Sequence, residues 1–155
     1  MGYALLKAAH VLAVLLWVGG MAFAHFFLRP ALATLEPPQR LKLMHEVLRR
    51  FFAAVLWCLA LITLSGVAMI VGMAHTVAQT GGRFVMPPDW SAMTVVGIVM
   101  FAIFGHIRLV LFRRFAAAVQ AGTWPQAAVY LALIRQWVLV NLVLGALLIA
   151  GVLVF

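Results

Sequence analysis

Four long apolar runs decide what this chain can become: Tyr3 to Leu28, Phe51 to Ala74, Ser91 to Phe112 and Trp137 to Phe155. Each approaches the roughly 20 residues that a helix needs to cross about 30 Å of hydrocarbon. The second and fourth hold no charged side chain. Of the 155 residues, 67% are hydrophobic and 9% charged, against about 25% charged in a soluble domain. A soluble globule of this size has too little interior to hide that much apolar surface. The expectation is an all-α, integral membrane four-helix bundle forming a single transmembrane domain over residues 1–155.

The connections differ in character. Arg29 to Arg50 carries Arg29, Arg40, Lys42, Arg49 and Arg50. Pro37-Pro38 suits a helix start, and Leu41, Met44, Leu48 and Phe51 recur at helical spacing. This predicts an amphipathic lead-in over about residues 38–50, running into the second span. Glu46 and Arg50 form an i,i+4 pair on its solvated face, and His45 there reads as a solvated residue. A second lead-in, about residues 125–136, follows a break at Gly122, with Pro125 in its first turn. The connection from His75 to Trp90 is rich in Gly and Pro and holds Arg83 as its cation. The positive-inside rule then puts the basic first and third connections in the cytoplasm and both termini in the periplasm. The N-terminal run outlasts the roughly 7–15 apolar residues of a signal core, so it reads as a retained helix.

The net charge of +8 belongs to topology and to contact with anionic lipid rather than to nucleic acid, since no aromatic-basic interleaving accompanies it. The lone Cys58 rules out an intrachain disulfide and reads as a small buried apolar residue. Phosphate loops, nucleophile elbows and paired zinc-ligand motifs are absent.

Ionisable groups inside hydrocarbon are costly, which makes each a site candidate. They are Lys7, His10, His25, His75, His106 and Arg108, joined by the polar Asn141. Asn141 also suits a plain helix-to-helix bond, and Arg108 suits snorkelling. Lys7, His10, Ala13, Trp17 and Gly20 share one helical face, whose small residues admit another helix or a flat cofactor. Imidazole binds haem iron and copper, and helix bundles project such ligands inward. Two axial ligands of one iron need one depth. His10 with His75, or His25 with His106, meets that need better than His10 with His106. Copper would also take softer partners: Met69, Met73 and His75 cluster at one end of the second span, with Met86 and Met93 near the adjoining loop.

Lys7-Ala-Ala-His10 followed by Trp17 and Gly20, Arg29-Pro30-Ala31, Arg49-Arg50-Phe51-Phe52, Ser65-Gly66, Ile103-Phe104-Gly105-His106, Ile134-Arg135, Asn141 and Leu144-Gly145 carry a resemblance. The chain resembles the copper resistance protein D (CopD) superfamily, and in its first helix the HemJ-type protoporphyrinogen oxidases. The resemblance implies a bacterial inner-membrane protein. On the CopD side it implies copper uptake from the periplasm. On the HemJ side it implies haem b and porphyrinogen oxidation, with Lys7, His10, Trp17 and His106 at the matching positions. Two departures weigh against protoporphyrinogen oxidase activity: Thr94 stands near an expected lysine, and an acidic stretch before the last helix is missing.

The leading expectation is a haem-b-binding membrane protein in electron transfer, redox chemistry or haem handling. His10 would be an iron ligand, with His106 or a same-depth histidine as the second, and Lys7, Trp17, His25, His75 and Arg108 would also line the cofactor. The alternative is copper binding and transport through His10, Met73, His75 and Met86. A third reading is a structural subunit of a larger membrane complex. Expected partners are membrane lipid, a quinone, porphyrin or redox protein, and further copies of the chain.

Overall fold

The computed structural model describes residues 2–154. Four helices follow one another: α1 (Gly2–Thr34), α2 (Pro37–Gln79), α3 (Pro88–Gln120) and α4 (Trp124–Val154). All four are long and apolar enough to cross a membrane, and the described residues contain no strand. The protein is an all-helical, multi-pass bundle.

Proline opens three of the helices. Pro37 and Pro88 follow residues with extended backbone, Glu36 (ψ 144°) and Pro87 (ψ 147°), and Pro125 is the second residue of α4. There the missing N–H costs nothing and the fixed φ already suits a helix. Glycine closes α2 and α3: Gly81 (φ 73°) and Gly122 (φ 69°) adopt the left-handed conformation just past the helix ends. α2 has 43 residues and is therefore roughly 65 Å long, about twice the hydrocarbon thickness. The amphipathic lead-in is thus continuous with the span and stands outside it.

Two helices contain a π turn, Ala24–Leu28 in α1 and Ile107–Leu111 in α3. The first contains His25 and precedes Arg29. The second follows His106 and contains Arg108. A π turn accommodates one extra residue and swings the side chains beyond it around the helix axis.

α1 packs along α2, and α3 along α4, while the basic end of α2 also reaches α3 and α4. Aromatic rings join the pairs. Phe52 meets Phe104 edge-on at 5.6 Å and Phe112 at 5.2 Å, and Trp17 packs on Phe101 (5.7 Å) and Phe104 (6.3 Å). Such pairs add about 0.5–1.5 kcal/mol each beyond burial. The Asn141 amide, 1% exposed, donates to the Met100 carbonyl at 3.2 Å, a polar tie between α4 and α3. At Gly145 an added Cβ would lie 2.9 Å from Val18 and 3.1 Å from Met100, so α1, α3 and α4 converge there.

Burial is unequal along the bundle. Toward the termini the last buried residues are Ala13, Ser65, Met100 and Gly145, one on each helix. Toward the other end burial continues beyond the apolar runs through Leu41, Met44 and Leu48 on α2, Phe115 and Ala118 on α3, and Ala127 and Leu131 on α4. Lys42 lies over the Trp124 ring at 5.5 Å, which brings both basic connections to the same end.

His45 corrects a sequence expectation. It is half-buried rather than solvated, stacked on Phe112 with ring centroids 5.4 Å apart and planes within 5°, and tilted against Phe115 at 6.0 Å. Its neighbours come from α3, which local periodicity does not reveal. Glu46 accepts two hydrogen bonds from Arg49 at 2.8 Å as well as the expected one from Arg50 at 2.7 Å. These bonds hold its carboxyl down to about 2.

Candidate functional site

The polar contact between helices nearest the termini is at His10. Its Nδ1 lies 3.0 Å from the hydroxyl of Ser65 on α2. Ser65 is 2% exposed, and its hydroxyl is within donating reach of the Leu61 carbonyl one turn back and of the Ile62 carbonyl at 3.2 Å. A serine hydroxyl has one hydrogen. If that hydrogen points to the helix carbonyls, the oxygen accepts from a proton on His10 Nδ1. Nε2 is then left with its lone pair, the state in which imidazole binds a metal. Gly66 makes room for the ring: a Cβ there would be 3.5 Å from His10 Cε1. Sequence reasoning included Ser65-Gly66 only within a resemblance. The local signal is a hydroxyl beside a glycine in a largely apolar span.

Met69 stands one turn beyond Ser65 on α2 and is half-buried, and Met73 stands one turn further and is exposed. Steps of four keep these three residues on one slowly turning stripe. His75 is two residues past Met73 on the same unbroken helix, so the two point to opposite sides. His75 is exposed, and Met86 is half-buried in the connection that follows α2.

The other expected site residues are spread along the bundle. His106 is exposed and meets Trp137 edge-on at 5.5 Å. It lies two residues past Phe104, which packs on Phe52, whereas His10 pairs with Ser65, thirteen residues along α2 from Phe52. Helical rise therefore separates His10 from His106 by roughly 20 Å in depth. The shared face of α1 is filled by protein. Trp17 is 4% exposed among aromatic rings, and the Phe51 ring occupies the space over Gly20. A porphyrin between His10 and His106 does not fit this packing. Lys7 is exposed one turn from His10. Arg108 lies over Phe112 at 5.3 Å, with its Nε buried and unpartnered. His25 lines a cavity of about 430 Å³ at the basic end. Among the described residues no three His, Cys, Asp or Glu side chains converge as a metal site.

Residues 45–155 match the family described as copper resistance protein D. The chain belongs to the CopD family. The match takes in Ser65, Met69, His75, His106 and Asn141 and leaves α1, with His10, outside. No curated protein and no solved structure matches the chain. Family membership and the four spans make it a multi-pass inner-membrane protein in contact with lipid.

Proposed function

We propose that this CopD-family protein binds copper ions in the terminal half of the bundle and passes them across the inner membrane. The observation that carries the reading is the His10–Ser65 contact at 3.0 Å. It joins α1 to α2 inside an apolar span and leaves one imidazole nitrogen free for a metal. Thioether sulfur and imidazole together select the soft Cu(I) ion, and Met69 and Met73, one and two turns past Ser65 on α2, would supply sulfur between the helix end and the level of His10. Copper is the substrate, released and taken up, and a shallow set of few ligands suits release. The excess of cations at the basic end orients that end toward the cytoplasm, so the stripe opens to the periplasm.

The test is a Cu(I) competition against a chromophoric chelator, using the intact protein in detergent, with a visible spectrum of the same sample. Bound Cu(I) that is lost in His10→Ala and weakened in Met69→Leu/Met73→Leu supports the proposal. A Soret band with no chelator-competent copper would sink it and return haem as the ligand. A sample with neither would leave the structural-subunit reading.

A further inference from the structure

The cavity at the basic end lies between the end of α1, the start of α2 and the start of α4, and its volume is about 430 Å³. Its polar lining is His25, Arg29, Arg40 and Arg135. Among the described residues the three arginines have no carboxylate partner. The chain has three acidic residues, and among the described residues the carboxylate ion pairs are those of Glu46 with Arg49 and Arg50. Arg135 Nε is buried with no hydrogen-bond partner. Three guanidinium groups around one cavity repel one another unless an anion enters, and a planar guanidinium suits phosphate oxygens.

The rest of the wall is apolar, formed by Leu41, Leu48, Ile134 and Val138 among others. Free phosphate gains nothing from such a wall, whereas an acyl chain does. The cavity also sits where the basic lead-ins meet the apolar spans, the level of lipid headgroups. Basic pockets between helices on this side of a membrane are suited to anionic headgroups. The π turn at Ala24–Leu28 contributes His25 to the cavity, and such turns concentrate at functional sites.

We infer that this cavity is a specific site for an anionic phospholipid, its phosphate among Arg29, Arg40 and Arg135 and its first chain segment along Leu41, Leu48, Ile134 and Val138. The inference does not depend on copper binding.

Native mass spectrometry and thermal melting of the intact protein in a zwitterionic detergent test it, with phosphatidylglycerol, phosphatidylcholine and inorganic phosphate as probes. Phosphatidylglycerol should remain bound and raise the melting temperature. Loss of one charge-assisted contact in Arg135→Gln should weaken its binding about tenfold. Arg113→Gln, which removes an exposed cation from the same end, should leave binding unchanged. Should Arg135→Gln fail to fold, Ala128→Phe is the second variant: it fills the cavity without touching a charge and should abolish retention. Equal weakening by Arg113→Gln would overturn the site in favour of diffuse attraction. Equal protection by inorganic phosphate, or equal retention of phosphatidylcholine, would overturn the anionic-lipid assignment.

Discussion

His45 and Phe112 lie face to face, their ring planes within 5° and their centroids 5.4 Å apart. The pair fastens the lead-in of α2 to α3 at the point where the third apolar run ends. His45→Ala should therefore lower stability by about 1 kcal/mol, the scale of one aromatic pair. His45→Phe should keep most of it. Melting curves in detergent decide, and equal losses in both variants would show that the stacked ring is not what stabilises this end.

Ser65 should matter to copper without touching it. Removing the group that orients a metal-bound histidine typically weakens affinity about 10–100-fold. Ser65→Ala should shift Cu(I) affinity by that order while the fold persists, and Ser65→Thr should restore part of it. Unchanged affinity in Ser65→Ala would mean that His10 does not need its Nδ1 held.

Glu46 sets a pH signature. Its carboxyl is held down to about 2 from 4.5 by Arg49 and Arg50. The folded state thus resists protonation more than the unfolded one. The contribution is fully present above about 4.5 and is lost as pH falls toward 2. Glu46→Gln should melt below the parent protein at neutral pH, with the gap closing across that acid window. High salt should narrow the gap too, since the group is exposed. A gap unchanged in acid would assign the difference to something other than charge.

Gly145 should tolerate little. A Cβ there meets Val18 at 2.9 Å and Met100 at 3.1 Å. Gly145→Ala should cost about 1–3 kcal/mol through overpacking, read as a lowered melting temperature. No loss would mean that the Val18 and Met100 side chains move aside freely.

The spans were legible because hydropathy is a local property, and Pro37, Pro125 and Gly122 marked helix limits because their backbone demands are local too. Faces were harder to read. Spans this uniformly apolar carry no polar side to orient them, so neither the filling of Gly20 by Phe51 nor the burial of Ser65 could be foreseen. The π turns left no mark either, since one extra residue does not disturb an apolar run. Arg40 read as a topology signal and Arg135 as part of a family resemblance, and neither as a cavity residue, because the cavity they share joins helices far apart in sequence. Met73 and His75 looked like one cluster in the sequence, yet two residues on an unbroken helix point apart.

The line of last burial through Ala13, Ser65, Met100 and Gly145 has a mechanical consequence. Below it the four rods are clamped by the core around Phe52. Above it side chains are at most half-buried, so spreading the tips would expose only partly covered ones, His10 and Met69 among them. Motion there bends helices without rupturing the core, and such weakly packed regions are where low-energy openings arise. Packing is dense toward one membrane face and sparse toward the other, and His10 sits just past the boundary.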